Sequence, residues 1–335
     1  MTDQVLRVED LVKEFPGRRS LGDWLRRRPA RPVRALDGVS FELRAGEVLA
    51  LVGESGCGKT TTGNLLVGLL PASGGRVLLN GEEVGRLSGR GLQRIRRSAQ
   101  MVFQDPYESL NPRMRVGDIV AEPLRVHRVG TSAADTAARV ERAMASAGLT
   151  PTGAYRNRYP FELSGGQRQR VVVAAALALE PSLLIADEPV SMLDVSIRAD
   201  ILNLLSALAK QRGIAVVMIT HDLSTVAAYA DRIAVMYMGR IVEHGPTREV
   251  LRDPQHPYAR SLLSVVPIPD PTARRRPVIL GGETPDPSRI PSGCRFHPRC
   301  PVAFDRCPRE DPPLYDVGPD HQAACLLVED GPRTD

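Results

Sequence analysis

Residues 53–61, here called the phosphate loop, have the residue types and the spacing of a phosphate-binding segment. They read Gly-Glu-Ser-Gly-Cys-Gly-Lys-Thr-Thr and match the pattern G-x-x-x-x-G-K-[ST] without a mismatch. Glycines let backbone N–H groups converge on phosphate oxygens, and the N-terminus of a following helix adds partial positive charge. Lys59 would neutralise the β- and γ-phosphates, and the Thr60 hydroxyl would bind Mg²⁺. We predict that this cradle consists of Gly53, Glu54, Ser55, Gly56, Cys57, Gly58, Lys59, Thr60 and Thr61.

Polar side chains with catalytic potential follow three other apolar runs of strand length. Because ligands of parallel sheets bind beyond the carboxyl ends of the strands, we expect these side chains to face the phosphate loop. Asp187 is predicted to bind Mg²⁺, and Glu188 is predicted to orient or deprotonate the attacking water as a general base. Gln104 is predicted to contact Mg²⁺ or that water, and His221 is predicted to hydrogen-bond the γ-phosphate. The preceding apolar runs cover residues 99–103, 183–186 and 215–220.

Residues 163–167, Leu-Ser-Gly-Gly-Gln, predict a second anion site at a helix N-terminus. Ser164 is placed to cap the helical run over residues 168–179, and the two glycines after it expose backbone N–H groups. One nucleotide needs only one phosphate cradle, so a second cradle far downstream suggests a nucleotide shared between two chains. Ordinary helix capping is the alternative interpretation. The predicted second half-site consists of Ser164, Gly165, Gly166 and Gln167.

The order of the predicted elements indicates an α/β fold with a mostly parallel sheet, because strand patterns alternate with helical patterns. The strand signal fades over residues 105–162, where we predict a helical insertion subdomain. The chain from residue 255 onward, here called the tail, is rich in proline, which excludes long helices and central strands. We therefore predict a nucleotide-binding domain over residues 1–254 and a separate Cys- and Pro-rich module over residues 255–335. The individual predictions are strands at 5–8 (followed by a turn), 48–52, 99–103, 183–186, 215–220 and 233–238, and helices at 60–70, 133–148, 168–179 and 222–230.

Composition and charge fit a globular protein that meets phosphate groups or a membrane surface. The formal net charge is +5, from 44 Lys and Arg against 39 Asp and Glu, which is too mild to demand nucleic acid. No apolar run approaches the ~20 residues of a membrane-spanning helix, and the first residues lack the apolar core of a signal peptide. We therefore expect a soluble, cytoplasmic protein. Seven arginines and Trp24 crowd residues 18–34, an insertion interpreted as a surface loop or as a contact with lipid headgroups or a partner subunit.

Together, these motifs resemble those of the ATP-binding cassette (ABC) family, whose core is a P-loop NTPase. In that family's terms the motifs are Walker A (53–60), the Q-loop (Gln104), the signature (163–167), Walker B (183–187) with Glu188, the D-loop (191–194) and the switch histidine (His221). The resemblance implies that two subunits dock head to tail, with Ser164 of one subunit facing the γ-phosphate bound by the other. It further implies that Phe15 stacks on adenine, that Asp194 belongs to the nucleotide site and that hydrolysis moves membrane subunits. One departure is Met192, where alanine is commoner.

A narrower resemblance, to ATPase subunits of bacterial oligopeptide/dipeptide importers, covers nearly the whole chain. It depends on residues 104–112, on His256-Pro-Tyr258 and on residues 293–301, which read Gly-Cys-Arg-Phe-His-Pro-Arg-Cys-Pro. It implies an ATPase that uses ATP and Mg²⁺ to energise peptide uptake, bound peripherally at the cytoplasmic face of the plasma membrane. The implied partners are two integral-membrane permeases, a second ABC ATPase in a hetero- or homodimer and, indirectly, an extracytoplasmic solute-binding protein.

Two alternative functions stay open at this point. The same subunit could energise the import of nickel, glutathione or an oligosaccharide, because solute specificity lies on other chains. An ABC ATPase that acts on nucleic acid or ribosomes is disfavoured, because such proteins typically carry two cassettes or a long coiled-coil insertion. We find neither feature in the sequence and predict no nucleic-acid partner.

Four of the five cysteines lie in the tail, where their pattern suggests a metal or cluster site. Cys294, Cys300, Cys307 and Cys325 have the spacing C-x5-C-x6-C-x17-C, which lacks the closely spaced pairs of zinc modules. Four thiolates with Cys-Pro steps suit an iron–sulfur cluster better, and related importer ATPases carry a 4Fe-4S cluster on a similar tail. Zinc and unliganded structural thiols are the alternatives. Cys57 is interpreted as a packing residue, although a helix N-terminus could lower its pKa.

Overall fold

The structure is a computed structural model that describes residues 3–17, 32–86, 89–264 and 286–329. Most of the Arg-rich insertion predicted over residues 18–34, including Trp24, lies outside the described residues. None of the helices in the described ranges is both long and apolar enough to cross a bilayer.

The first strands of the chain form a small antiparallel sheet. Its members are β1 (Gln4–Phe15), β2 (Val33–Arg44), β4 (Gly74–Leu79) and β5 (Glu82–Glu83). They are ordered β2-β1-β4-β5. The prediction of a short strand over residues 5–8 and a turn is wrong, because β1 continues to Phe15. Polar residues interrupt the apolar run, but they alternate with buried ones along a strand that has one solvent-facing side.

The larger sheet confirms the predicted α/β fold. Its eight strands are β3 (Val48–Val52), β6 (Ala99–Val102), β7 (Leu183–Asp187), β8 (Ala215–Ile219), β9 (Arg232–Tyr237), β10 (Arg240–Pro246), β11 (Tyr315–Gly318) and β12 (His321–Ala323). They follow the order β11-β12-β10-β9-β3-β8-β7-β6, in which the five from β9 to β6 run parallel and the other three extend the sheet antiparallel. Every residue of β3, β7 and β8 is buried, as expected for parallel strands covered on both faces.

Helices cover both faces of the larger sheet. One face packs with the helix Lys59–Leu66 and the small sheet around Leu49, Leu51 and Ile185. The other face packs with the helices Gly165–Leu177 and Val195–Arg212 around Leu184 and Val216. The longer helices are α1 (Lys59–Leu66), α2 (Arg90–Ser98), α4 (Val116–Val126), α5 (Ala133–Ser146), α7 (Gly165–Leu177), α8 (Val195–Arg212) and α11 (Pro257–Ser264). The shorter helices are α3 (Pro106–Ser109), α6 (Gly153–Arg156), α9 (Leu223–Tyr229) and α10 (Thr247–Arg252).

The region predicted as a helical subdomain contains α3 to α6, of which α3, α4 and α5 pack against α7 and α6 packs against α4. Its interior is made of Val120, Leu124, Met144 and Val173, all at most 2% exposed. α7 begins three residues before the predicted start at 168, because Ser164 caps it, and α1 ends at Leu66 rather than at residue 70. The proposed boundaries of this subdomain stay a prediction.

The described part of the tail is attached to the larger sheet at two places. α11 buries Tyr258 beside Tyr237 of β9 and Phe296 of the tail, and all three side chains are at most 1% exposed. Farther along, β12 pairs with β10 through Glu243 and Ala323, which places the two tail strands at the edge of the sheet. The predicted division at residue 255 stays a prediction, and the described tail packs closely on the preceding domain.

Candidate nucleotide-binding site

The phosphate loop joins β3 to α1 and depends on glycines with positive φ. Gly53 has φ 151° and Gly58 has φ 109°. A Cβ atom at Gly53 would lie 2.2 Å from the carbonyl oxygen of Met236, and one at Gly58 would lie 2.6 Å from that of Ala35. A larger residue at either position would displace the loop, because both contacts are to backbone atoms.

Lys59 places a positive charge inside the phosphate loop. Its side chain is buried, and its ammonium donates hydrogen bonds to the carbonyl oxygens of Gly53 at 2.7 Å and Glu54 at 2.9 Å. Lys59 is also the first residue of α1, so its charge lies at a helix N-terminus. Both the charge and the helix dipole favour a bound anion such as a phosphate.

Asp187 and Thr60 fit a divalent cation. Asp187 is 5% exposed, and burial raises the pKa of its carboxyl group, although a hydrogen bond from the Thr60 hydroxyl opposes that shift. Its Oδ1 atom has no hydrogen-bond partner among the described residues. A buried carboxylate oxygen without a partner requires an explanation. A Mg²⁺ ion would satisfy it, since this ion is usually held by one or two carboxylates together with substrate phosphates.

Glu188 and His221 form a polar pair at the ends of neighbouring strands. The Nδ1 atom of His221 lies 2.7 Å from Oε1 of Glu188. The backbone of Glu188 has φ 49°, an uncommon conformation that is fixed by a 2.9 Å hydrogen bond from its N–H to the carbonyl oxygen of Ile219. A carboxylate held in this way can accept a proton from a water molecule, as a general base requires.

Most of the predicted site residues line one cavity of about 640 Å³. A cavity of this size falls within the range of small-molecule sites, ~300–1,000 Å³. The predicted residues that line it are Gly53, Glu54, Ser55, Gly56, Gly58, Lys59, Thr60, Thr61, Gln104, Asp187, Glu188 and His221.

Two residues predicted to bind the nucleotide, Cys57 and Phe15, are absent from the described lining of this cavity. Cys57 is 3% exposed, and burial raises the pKa of its thiol, so the suggested lowering by the helix N-terminus is wrong. Phe15 ends β1, where Lys13 Nζ lies 5.1 Å from its ring centroid. The predicted stacking of Phe15 on adenine stays a prediction.

The signature residues lie outside the cavity lining in the described part of the chain. Ser164 is the N-cap of α7, where its hydroxyl accepts a hydrogen bond from the N–H of Gln167 at 3.3 Å. In return, Oε1 of Gln167 accepts one from the N–H of Ser164 at 3.0 Å. Asp194 precedes α8 and also lies outside the lining. The structure thus separates the predicted phosphate contacts into two groups.

The four tail cysteines are free thiols that lie close enough to influence one another electrostatically. The Cys294 N–H donates to the carbonyl oxygen of Cys307 at 2.8 Å, and burial raises the pKa of Cys294 to about 11. Among the described residues, however, no group of three or more His, Cys, Asp or Glu side chains is arranged to hold a metal ion. The structure therefore does not support the predicted iron–sulfur cluster.

Sequence reasoning missed three tail residues that reach the phosphate loop or its cavity. The hydroxyl of Tyr258 accepts a hydrogen bond from the N–H of Glu54, and Arg299 makes an ion pair with the Glu54 carboxylate. Leu262 lines the cavity itself. Tyr258 and Arg299 lie within the two tail motifs noted in the sequence, but those motifs carry no signal for a contact with residue 54.

Comparisons with known proteins match both parts of the chain. Residues 36–191 match the sequence profile of the family described as "ABC transporter", and residues 242–307 match that of the "Oligopeptide/dipeptide transporter, C-terminal region". A solved dimeric structure of the ATP-binding cassette MJ0796, in a post-hydrolysis state bound to ADP and Pi, is similar with a TM-score of 0.62 and 28% identity. That similarity covers 72% of this chain and 99% of that chain.

Two relatives show the same likeness over most of their length. The probable peptide ABC transporter ATP-binding protein y4tS of Sinorhizobium fredii is 47% identical over 328 residues, which cover 97% of this chain and 90% of that protein. The oligopeptide transport ATP-binding protein OppF of Haemophilus influenzae is 46% identical over 298 residues, 88% of this chain and 89% of that protein. The resemblance found in the sequence is thereby confirmed, and the chain belongs to the ABC transporter family, as an ATPase of its oligopeptide/dipeptide transporter group.

Proposed function

We propose that this ATPase energises the uptake of oligopeptides or dipeptides through a membrane-embedded ABC importer. The observation that carries the proposal is the single cavity shared by the phosphate loop, Gln104, Asp187, Glu188 and His221. The C-terminal region of oligopeptide/dipeptide transporters and the names of the relatives support a peptide as the transported solute. Nickel, glutathione or an oligosaccharide is the alternative cargo.

ATP hydrolysis in this cavity is proposed to use each polar group for a separate task. Lys59 and the N–H groups of the phosphate loop hold the β- and γ-phosphates. Thr60, Asp187 and Gln104 hold Mg²⁺, which neutralises phosphate charge when bound. Glu188 accepts the proton of the attacking water, and its contact with Nδ1 of His221 fixes the carboxylate in place. The other ring nitrogen of His221 is then available for a hydrogen bond to the γ-phosphate.

The active unit is proposed to be a dimer in which the signature helix of one subunit completes the cavity of the other. The position of Ser164 outside the cavity lining of its own chain supports this arrangement. A similar solved cassette is described as dimeric and bound to ADP and Pi. In the dimer, Ser164, Gly165, Gly166 and Gln167 approach the γ-phosphate, and Asp194 lies at the contact between subunits.

The remaining parts of the importer are proposed to be separate proteins. Two integral-membrane permeases, a second ABC ATPase and a solute-binding protein outside the membrane complete the transporter. Our chain is placed peripherally at the cytoplasmic face of the bacterial plasma membrane. The second ATPase is a paralogue or another copy of this chain.

The tail cysteines are proposed to ligate a 4Fe-4S cluster, with zinc or unliganded thiols as the alternatives. Thiolates suit iron chemically, and the electrostatic proximity of Cys294, Cys300, Cys307 and Cys325 supports their assignment as one group. Anaerobic purification followed by iron and acid-labile sulfide analysis tests it. A brown protein with four iron atoms per chain is expected, and a colourless protein, with or without zinc, would contradict it.

Reconstitution into proteoliposomes tests the transport function. The chain is combined with the two permeases, the second ATPase and the binding protein, and uptake of radiolabelled peptides is measured with and without MgATP. We expect uptake that requires ATP and that stops when Glu188→Gln replaces the wild-type chain.

Parallel assays with nickel, glutathione and an oligosaccharide separate the cargo from the transport role. ATP-dependent uptake of one of these solutes, with no uptake of peptides, would show that this solute is the cargo and that peptides are not. ATP hydrolysis that does not respond to any of the membrane partners would contradict the transport role itself.

A further inference from the structure

Glu54 of the phosphate loop is held by the tail at two points. Its backbone N–H donates a 2.9 Å hydrogen bond to the hydroxyl of Tyr258. Its carboxylate accepts two hydrogen bonds from the guanidinium of Arg299, at 2.8 and 3.0 Å. The bonding residues are separated from Glu54 by more than 200 positions in the sequence. Contacts of this kind tie the loop to a distant part of the fold.

The ion pair has the geometry of a strong and specific contact. Two parallel N–H···O bonds between a guanidinium and a carboxylate fix both distance and orientation. The side chain of Arg299 is 8% exposed and that of Glu54 is 27% exposed, so solvent screens the pair less than a surface pair. Removing one partner of such a pair is costly, because the other charge loses its compensation.

The segment of the tail that carries Tyr258 is itself fixed. Glu243 of β10, with no exposed surface, accepts hydrogen bonds from the N–H groups of Gln255 and His256 at the start of α11. It also lies 2.8 Å from Nε2 of His321 in β12. The ring of Tyr258 packs against the aromatic side chains of the core described above. The tail therefore offers a rigid support to the loop.

Glu54 connects this support to the phosphate-binding lysine. Its carbonyl oxygen accepts a hydrogen bond from Lys59 Nζ at 2.9 Å, while its N–H and its carboxylate are held from the tail. A loop with glycines at 53, 56 and 58 has many alternative conformations. Ordering such a loop when a ligand binds lowers affinity, and holding it in the binding shape beforehand raises affinity.

We propose that Arg299 and Tyr258 are positioning residues that hold the phosphate loop in its ATP-binding shape, so that the tail sets the affinity for MgATP. The inference depends on the proposed function of the cavity as the MgATP site. Arg299 and Tyr258 act through Glu54 and Lys59, and they take no part in the chemistry of hydrolysis. Substitutions at the contact should therefore raise KM and Kd while leaving kcat nearly unchanged.

The test compares full-length variants by nucleotide titration and steady-state hydrolysis. For Arg299→Gln we expect Kd and KM for MgATP to rise about tenfold, equivalent to about 1.4 kcal/mol, with kcat within about twofold of wild type. Arg299→Lys should recover part of the loss, because one hydrogen bond of the pair can re-form. Tyr258→Phe should give a smaller increase in Kd, since it removes only the acceptor of the Glu54 N–H.

A matched control lies in the same tail. Arg306 makes a similar two-bond ion pair with Glu310, at 2.9 and 2.7 Å, but on the surface. Arg306→Gln should leave Kd and KM unchanged. The Kd of the double variant Glu54→Gln/Arg299→Gln for MgATP should not exceed the higher Kd of the two single variants, because both substitutions break the same contact. If Arg299→Gln does not fold, Glu54→Gln tests the same contact with the tail intact.

The outcomes distinguish this inference from the proposed function. Unchanged Kd and KM in a folded Arg299→Gln or Glu54→Gln variant would overturn the positioning role. A fall in kcat without a change in Kd would also overturn it. A wild-type chain that binds no MgATP would overturn both the inference and the assignment of the cavity.

Discussion

Two helix N-termini carry the predicted phosphate contacts, and they differ in how their N–H groups are satisfied. α1 starts after Gly58, which has no side chain to cap it, whereas α7 starts after Ser164, which caps it reciprocally with Gln167. α1 therefore offers its N–H groups to a ligand in the cavity of its own chain. At the start of α7 the cap satisfies the N–H groups of Ser164 and Gln167, and this helix end lies outside that cavity lining. This difference supports the proposal that the nucleotide binds at α1 of one subunit and meets α7 of another subunit only in a dimer.

The largest effect is expected for Glu188→Gln, which tests whether the two helix ends meet around one nucleotide. Turnover should fall ~10²–10⁴-fold because the general base is lost, while ATP binding at α1 persists. Unhydrolysed ATP should then keep two subunits associated. Size-exclusion chromatography in the presence of ATP detects such a dimer. Glu249→Gln is the control, at a glutamate of α10 whose side chain is 42% exposed and pairs with Arg252. Wild-type turnover in Glu188→Gln would remove this residue from the role of base.

Lys59→Ala tests the phosphate contact at the N-terminus of α1. The substitution removes the charge that lies inside the phosphate loop, so MgATP affinity should fall by ~1.5–3 kcal/mol, the usual value of a hydrogen bond to a charged group. Isothermal titration calorimetry measures the change. Lys210→Ala, which removes a surface lysine paired with Asp231, should bind MgATP like wild type. Equal affinity of Lys59→Ala and wild type would show that the phosphates bind elsewhere.

Ser164→Ala tests the role of the N-terminus of α7 in dimerisation. Loss of the cap should destabilise the fold by ~0.5–2 kcal/mol, and ATP-dependent dimerisation and turnover should weaken, while nucleotide affinity of the monomer stays the same. Ser132→Ala is a matched control, because Ser132 caps α5 in the same way, through a hydrogen bond from the N–H of Asp135. It should lower stability without affecting dimerisation. If Ser164→Ala and Ser132→Ala dimerise equally well with ATP, Ser164 acts only as a helix cap.

The smallest effect is expected in the stability of Asp187→Asn without nucleotide. Burial raises the pKa of Asp187, so its charged form is disfavoured in the folded state. The protein therefore loses stability as the pH rises above 3.8, the pKa of this carboxyl group in the unfolded chain. Asp187→Asn should raise the midpoint of thermal unfolding at neutral pH and remove that part of the pH dependence. Activation by Mg²⁺ should be lost at the same time. A lower midpoint would mean that Asp187 stabilises the empty site.

The parts of the fold that the sequence predicted well share one property. β3 has the predicted bounds because a parallel strand buried on both faces is a continuous apolar run that ends at the polar loop. The phosphate-loop residues of the cavity were predicted from their residue pattern, and Gln104, Asp187, Glu188 and His221 were predicted because they lie at or just after the carboxyl ends of apolar runs. β1 was predicted too short, since a strand with one exposed side mixes polar and apolar residues.

The contacts of Glu54 with the tail could not be predicted for a different reason. Tyr258 and Arg299 lie far from residue 54 in the sequence, and no local pattern encodes which distant partner an arginine or a tyrosine will meet. The same limit applies to Glu243 and His321, which look like ordinary polar residues until the fold brings them together. Tertiary packing alone decides such pairs.

The pairing of β12 with β10 has a consequence for biosynthesis. A protein chain emerges from the ribosome N-terminus first, so β10 is complete about 75 residues before β12 follows it. During that interval the nascent sheet ends in a strand with unpaired backbone groups, the kind of edge that invites association with another chain. The two tail strands thus replace a seven-residue edge at β10 with a four-residue edge at β11, and a shorter edge is a poorer template for pairing with another chain.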